Sequence, residues 1–222
     1  KSEMGSRIST VVLISGSGTN LQAIIDEIDQ HQLPVEIISV ISDNPNAYGL
    51  KRAEKANIKT QIIDYCSFPD KVVFNKIVVQ RIKESNPELI VLAGYMRILS
   101  DEFCHQFKGK ILNIHPSLLP KYQGLNTYDR VLKSTDEYHG STVHFVIPEL
   151  DSGPIVLQYR TKIKPHDNPS SLAKRVQQGE YIIYPMAIKM FAEGALRMVD
   201  NQAILNGKPI TKVRIIEGLS FS

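Results

Sequence analysis

Apolar strand-like runs alternate with helix-forming segments along the first half of the chain. A β-branched run beginning at Ile8 ends in a glycine-containing loop, and helical spacing starts at Leu21. The same order of strand, turn and helix repeats twice more before the apolar run Leu89–Leu92. Such βαβ alternation is typical of a parallel sheet with helices on both of its faces. We therefore predict an α/β, Rossmann-like fold with a mostly parallel central sheet.

The same patterns predict bounds for the elements. Strands are expected at 8–15, 35–42, 59–64, 89–92, 111–115, 141–147 and 155–164. Helices are expected from Leu21 and at 47–56, 71–85, 101–107 and 170–194, with a kink at Pro185 in the last of them. The tail predicts a C-terminal β-hairpin extension that turns at Asn206-Gly207.

Composition limits the class of protein. Hydrophobic residues make up 42% and charged residues 22% of 222 residues, as in ordinary globular domains. A net charge of +3 is too weak to indicate nucleic-acid binding. We expect a flexible lead-in at 1–7 and a single domain at 8–222.

Cysteine use and hydropathy indicate the cellular setting. The two cysteines, Cys66 and Cys104, are far apart in the sequence and form neither a disulfide framework nor a CxxC site. No apolar run of membrane-spanning length and no signal-peptide h-region is present. We expect a cytoplasmic protein without a membrane partner.

The loop from Gly16 to Asn20 is a candidate anion site. It lies between a strand and the start of a helix, where backbone N–H groups and the helix dipole attract phosphate. Leu21 stands where the third glycine of GxGxxG would be, and no Walker lysine follows. The alternative is an ordinary glycine turn in which Thr19 or Asn20 caps the helix.

Asn113 and His115 are candidate catalytic residues. They stand two apart at the end of a predicted strand, so both side chains point to the same side of the sheet. An amide and an imidazole can together stabilise a carbonyl oxygen that gains negative charge. Asp151 would favour the imidazolium form if its loop folds back to His115. The alternatives are a histidine that hydrogen-bonds at the strand end and an aspartate that caps backbone N–H groups.

The sequence gives little support for a metal site or a covalent nucleophile. The remaining histidines show neither an i,i+4 pair nor an HExxH pattern, so no metal site is expected. No GxSxG serine or convincing Cys-His pair supplies a covalent nucleophile. Met96, Arg97, Ile98 and Leu99 follow a strand and form either a buried connector or the wall of an apolar ligand pocket.

Five strings together resemble one family in order and spacing. They are VLISGSGTNLQAI at 12–24, LAGYMRIL at 92–99, NIHPSLLP at 113–120, HGSTVHFV at 139–146 and ELDSGP at 149–154. The chain resembles the phosphoribosylglycinamide formyltransferases over about residues 8–194. The resemblance implies transfer of a formyl group from 10-formyltetrahydrofolate, as co-substrate and without a metal, to the amine of glycinamide ribonucleotide in de novo purine (IMP) biosynthesis.

The resemblance also implies roles for individual residues. Asn113, His115 and Asp151 match the catalytic set. Gly18, Thr19, Asn20, Gln177 and Glu180 match residues that bind the ribonucleotide. Lys71, Met96, Arg97, Ile98, Leu99, Asn113, Ile147, Pro148, Glu149, Leu150 and Asp151 match the folate side. Lys71 stands where many members carry arginine, which changes the geometry available to a carboxylate.

These residues suggest a mechanism without a protein nucleophile. The substrate amine attacks the formyl carbon directly, while Asn113 and protonated His115 stabilise the tetrahedral oxyanion. Asp151 is expected to orient His115, keep it charged and help to move the amine proton through water.

Related activities remain alternatives. Formyltetrahydrofolate deformylase and methionyl-tRNA formyltransferase share the folate site but carry further domains, for which this length leaves no room. A noncatalytic folate or nucleotide-binding module is the alternative from another class, and the Asn113, His115 and Asp151 set favours an enzyme. As for partners, we expect only the two small-molecule substrates, with the chain a monomer or a homodimer.

Overall fold

A computed structural model describes residues 6–218 of the chain. Of the predicted lead-in, residues 1–5 lie outside the described residues. Within 6–218 no helix combines the length and apolar character needed to cross a membrane. The chain forms two compact units, the first ending at Asn113 and the second beginning at Ile114. The predicted assignment of 8–222 to one domain stays a prediction.

Five parallel strands form the sheet of the first unit. They are β1 (Ile8–Ile14), β2 (Val35–Ser42), β3 (Thr60–Ile62), β4 (Leu89–Leu92) and β5 (Ile111–His115), whose last two residues belong to the second unit. Their order across the sheet is β5, β4, β1, β2, β3. The strand β4 is buried throughout, which explains its uninterrupted apolar sequence.

Four helices cover this sheet. They are α1 (Thr19–Asp29), α2 (Gly49–Lys55), α3 (Lys71–Ser85) and α4 (Asp101–Gln106). The chain moves from β1 outward to β3 and then returns to β4 on the other side of β1. Because such crossovers are right-handed, α1 and α2 cover one face while α3 and α4 cover the other. Accordingly α1 packs against α2, and α3 packs against α4.

Local chemistry sets the ends of α3. The Asp70 side chain accepts a hydrogen bond from the Val73 N–H at 2.9 Å and caps the start of the helix. Asn86 ends it in the left-handed conformation, with φ of 44°, directly before Pro87, which cannot continue a helix. The predicted bounds of this helix are confirmed.

The second unit contains an antiparallel pair of strands and a long helix. In the strand order β6 (Tyr138–Phe145) follows β5, and β7 (Ile155–Lys162) lies antiparallel to β6. The short helix α5 (Thr127–Leu132) packs against α6 (Pro169–Ala192). The helix α6 also packs on β6 and β7, and it continues through Pro185.

A three-stranded antiparallel sheet follows α6. Its strands are β8 (Leu196–Val199), β9 (Gln202–Leu205) and β10 (Lys208–Pro209). Asn206 and Gly207 connect β9 to β10 with φ values of 51° and 79°, as a type I′ turn requires. The predicted hairpin is therefore confirmed, with β8 as an additional strand. Finally, β11 (Ile215–Glu217) pairs in parallel with β7, and the predicted α/β, Rossmann-like fold is confirmed.

Candidate active site

The loop after β1 turns into α1 at Gly18. This residue has φ of 73°, in the left-handed region that favours glycine. A Cβ atom on Gly18 would lie 2.6 Å from the Cα atom of Gly49, so the loop has no room for a side chain here. The close approach of these two glycines fixes the path of the loop.

Hydrogen bonds hold the carbonyl groups of this loop. The Nε–H of Arg52 donates to the Ser17 carbonyl oxygen at 2.7 Å, and the Gly49 N–H donates to the Gly16 carbonyl oxygen at 3.0 Å. No side chain caps the N-terminus of α1, and its first turn contains no acidic residue. Gly18 occupies the N-cap position, so the alternative in which Thr19 or Asn20 caps the helix is not observed in the described α1, and this N-terminus suits an anion.

A cavity of about 220 Å³ opens beside the loop. Residues 15–20 line it from the loop after β1 and the start of α1, and Ala93, Gly94 and Met96 line it from the segment after β4. The strand order reverses between β1 and β4, the place where open α/β sheets bind ligands. The predicted ribonucleotide residues Gly18, Thr19 and Asn20 thus lie together on one cavity.

The segment after β4 is not a buried connector, and that alternative is wrong. Met96 and Ile98 are 65% and 70% exposed, whereas Leu99 is half-buried. The Met96 N–H donates to the Ser15 hydroxyl at 2.8 Å, which ties this segment to the loop after β1. Met96 lines the cavity, and exposed apolar side chains of this kind suit the predicted folate wall.

Arg97, within the same segment, is held by two contacts. Its Nε–H donates to the Asp43 carboxylate at 2.7 Å, and its guanidinium carbon lies 3.6 Å from the centre of the Tyr65 ring. Asp43 is buried, and its hydrogen bond raises the pKa of Arg97 above the usual value. Burial beside Asp43 raises the pKa of Tyr95. Lys71, the other predicted cation, is the exposed first residue of α3.

In the second unit the predicted pair of His115 and Asp151 is brought together. The Asp151 Oδ2 atom lies 3.6 Å from the His115 Nδ1 atom, and both side chains are 8% exposed. The other ring nitrogen, Nε2, donates to the Tyr122 carbonyl oxygen at 2.9 Å. The Gly124 N–H donates to Asp151 Oδ2 at 2.8 Å. The imidazole is thus anchored at one nitrogen and faces a carboxylate with the other.

The two ring nitrogens of His115 have different surroundings. A carbonyl oxygen only accepts hydrogen bonds, so Nε2 carries a proton. On the other side of the ring, Nδ1 faces the Asp151 Oδ2 atom. At 3.6 Å these atoms are not hydrogen-bonded. Nδ1 is therefore available for a hydrogen bond with a substrate atom, with the Asp151 carboxylate beside it.

The other predicted residues near this pair lie on β5 and in the loop after β6. Asn113 is half-buried and stands two residues before His115, so strand alternation places both side chains on the same side of β5. The loop residues Pro148, Glu149 and Leu150 are exposed, and Ile147 is half-buried.

Gln177 and Glu180 occupy neighbouring turns of α6. Gln177 is half-buried, whereas Glu180 is buried and accepts a hydrogen bond from the Ser141 hydroxyl at 2.6 Å. A spacing of three places both side chains on one face of the helix. Their predicted contact with the ribonucleotide stays a prediction.

Two histidines of β6 are buried. The Nδ1–H of His144 donates to the Phe145 carbonyl oxygen at 2.9 Å, and burial lowers the pKa of His144. Its titration is also sensitive to the charges of Asp151 and His115, so His144 borders the pair. Desolvation lowers the pKa of His139 to about 4, so this ring is neutral at pH 7. Among residues 6–218 no group of three or more His, Cys, Asp and Glu side chains could hold a metal ion.

Comparison with known proteins identifies the family. The family model described as formyl transferase matches residues 8–188. The chain belongs to the formyl transferase family. It is 48% identical over 201 residues to the phosphoribosylglycinamide formyltransferase of Haemophilus influenzae, covering 90% of this chain and 95% of that protein. The corresponding protein of Escherichia coli is 43% identical with the same coverage.

A solved structure of a related protein has the same fold as this chain. The phosphoribosylglycinamide formyltransferase of Coxiella burnetii, solved in complex with CHES, superposes with a TM-score of 0.90 at 47% identity. The match covers 95% of this chain and all (100%) of that chain. The residues matched by the formyl transferase family model include both the loop after β1 and the residues around His115 and Asp151.

Proposed function

We propose that this formyltransferase moves the formyl group of 10-formyltetrahydrofolate to the amine of glycinamide ribonucleotide, a step of de novo purine biosynthesis. The observation that carries the proposal is the His115 and Asp151 pair, with Nε2 anchored on Tyr122 and Nδ1 facing the carboxylate. The 48% identity to a phosphoribosylglycinamide formyltransferase supports the choice of substrates.

In the proposed reaction the amine of the ribonucleotide attacks the formyl carbon. A new C–N bond forms, and the carbonyl electron pair moves to oxygen, giving a tetrahedral oxyanion. The His115 Nδ1–H and the Asn113 side-chain amide donate hydrogen bonds to this oxygen, as an oxyanion site requires. Because these donors are already positioned on β5, little reorganisation is needed during the reaction.

Collapse of the intermediate completes the transfer. The oxyanion reforms the carbonyl, and the bond between the formyl carbon and N10 of the folate breaks. The attacking amine loses a proton and the departing N10 gains one, so the overall proton balance is zero. Because N10 gains a proton, tetrahydrofolate leaves as a neutral amine. In this proposal Asp151 assists the proton movement through water and keeps His115 charged.

The binding surfaces in this proposal are formed by residues of several elements. The phosphate of the ribonucleotide binds at the N-terminus of α1, where Gly18, Thr19 and Asn20 border the cavity. Gln177 and Glu180 bind the same substrate from α6. The folate lies against Met96 to Leu99 and Ile147 to Asp151, and Lys71 contributes its charge. The cytoplasmic setting and the monomer or homodimer stay predictions.

The dependence of folate release on the ribonucleotide tests this function. We expect tetrahydrofolate to appear, followed by absorbance, only when enzyme, 10-formyltetrahydrofolate and glycinamide ribonucleotide are all present. Ribose 5-phosphate is the matched control, because it carries the phosphate but no amine, and it should give no release. Release at the same rate without the ribonucleotide would indicate a deformylase and contradict the proposal.

A further inference from the structure

The loop from Tyr122 to Leu125, here called the grip loop, holds both members of the proposed catalytic pair through its backbone. The Tyr122 carbonyl accepts from His115 Nε2 at 2.9 Å. The Gly124 N–H donates to Asp151 Oδ2 at 2.8 Å. The geometry of the pair therefore depends on the conformation of this loop.

Half of the grip loop is exposed. Gln123 and Leu125 are exposed, Leu125 to 72%. Tyr122 and Gly124 have φ values of 54° and 83°, a region that is unfavourable for a non-glycine residue such as Tyr122. The Tyr122 ring packs against a buried cluster that includes Val131, and its hydroxyl donates to Asp136 at 2.6 Å. Hydrogen bonds from outside the loop hold its exposed part.

Arg130 of α5 supplies two of them. Its Nη1 atom donates to the Gln123 carbonyl oxygen at 2.7 Å and to the Leu125 carbonyl oxygen at 3.0 Å. Its guanidinium carbon lies 5.4 Å from the centre of the Tyr122 ring, within the range of a cation–π contact. Arg130 thus contacts three of the four grip-loop residues.

One peptide group links Arg130 to Asp151. The Gln123 carbonyl that accepts from Arg130 belongs to the same peptide as the Gly124 N–H that donates to Asp151. A cation at the oxygen and an anion at the N–H polarise this peptide in the same sense, so each hydrogen bond strengthens the other. Hydrogen bonds with a charged partner are about twice as strong as neutral ones.

We propose that Arg130 is a positioning residue for the His115 and Asp151 pair. It acts through the grip loop: it holds the loop in place and strengthens the Gly124 hydrogen bond to Asp151. This inference rests on the proposed function for its effect on turnover. Its effect on the Gly124 hydrogen bond does not depend on which reaction the pair catalyses.

The test is Arg130→Met, which keeps much of the side-chain length and removes the charge. We expect kcat for formyl transfer to fall by about 10-fold, which corresponds to roughly 1.4 kcal/mol, while KM for each substrate stays within about twofold. In ¹H–¹⁵N spectra the Gly124 amide proton should move upfield, because its hydrogen bond weakens. Arg130→Lys keeps one charged donor, so it should recover part of kcat.

Arg81→Met is the control, since Arg81 is an exposed arginine of α3. It should leave kcat and the Gly124 resonance unchanged. If Arg130→Met does not fold, Arg130→Gln is measured in its place. If Arg130→Met has the wild-type kcat and an unmoved Gly124 resonance, the proposal is overturned. It is also overturned if Arg130→Met loses kcat and Arg130→Lys recovers none of that loss. If the wild-type enzyme transfers no formyl group, the proposed function fails, while a shift of the Gly124 resonance still supports the role of Arg130 in the loop.

Discussion

Replacing His115 by alanine is expected to lower kcat for formyl transfer by about 100- to 1000-fold, the usual cost of losing one oxyanion donor. The substitution removes the Nδ1–H that would donate to the oxyanion. It leaves the Asn113 amide in place on β5, so some activity should remain. Steady-state rates at saturating concentrations of both substrates measure the effect.

The same substitution has a structural consequence that must be separated from catalysis. Without the ring, the Tyr122 carbonyl loses its hydrogen-bond donor, which costs about 1–3 kcal/mol of stability. The Asp151 carboxylate loses the neighbouring imidazole but keeps the Gly124 N–H. Circular dichroism and ligand binding show whether the variant is folded. His166→Ala, at an exposed position, is the control. Near-wild-type turnover by folded His115→Ala with both substrates bound would exclude the assigned role.

Replacing Gly18 by valine is expected to raise the Kd for the ribonucleotide by at least about 10-fold, equivalent to some 1.4 kcal/mol. The new Cβ would lie 2.6 Å from the Gly49 Cα atom, and a β-branched residue is strained at a φ of 73°. The loop must therefore shift away from α2, and its N–H groups move with it. Folate affinity should change by less than about twofold, and calorimetry with each substrate measures both.

Gly207→Val is the control that distinguishes the effect of backbone strain from the effect of displacing the loop after β1. Gly207 also has a positive φ of 79°, but no atom lies within 4 Å of the position its Cβ would take. This control should lower stability without changing affinity for the ribonucleotide. A Gly18→Val enzyme that loses folate affinity but keeps ribonucleotide affinity would show that the loop after β1 has been assigned to the wrong substrate.

Local sequence patterns predicted the elements whose determinants are local. The bounds of β4, β5 and α3 match the prediction because buried apolar runs, the Asp70 cap and Pro87 all act within a few residues. The strand β6 was predicted to start at Ser141 and end at Ile147, whereas it spans Tyr138–Phe145. Its start contains Gly140, which weakens a strand pattern. A Cβ there would lie 1.8 Å from the Tyr159 carbonyl oxygen of β7, so the glycine is required by strand packing.

Elements and contacts that depend on distant partners could not be predicted. The strand β11 has three residues and exists through pairing with β7. The short helix α5 was also missed, although it places Arg130. Likewise, nothing near Arg97 in the sequence indicates Asp43, because the two residues are 54 positions apart.

The candidate site also has some groups that the sequence predicts and others that it does not. His115 and Asp151 could be nominated because their side chains carry recognisable chemistry. The groups that hold them, the Tyr122 carbonyl and the Gly124 N–H, belong to the backbone, which every residue type shares. The sequence shows a glycine at position 124, and its φ of 83° lies in the left-handed region that favours glycine. Its hydrogen bond to Asp151 required the fold.

The fate of a labelled formyl group tests the central claim most directly. The enzyme is mixed with glycinamide ribonucleotide that carries ¹⁵N in its amine and with 10-formyltetrahydrofolate that carries ¹³C in its formyl group. We predict a product in which the ¹³C resonance is split by coupling to ¹⁵N, because a new bond joins these two atoms. Labelled formate in solution, or a label retained on the protein, would contradict direct transfer to the amine.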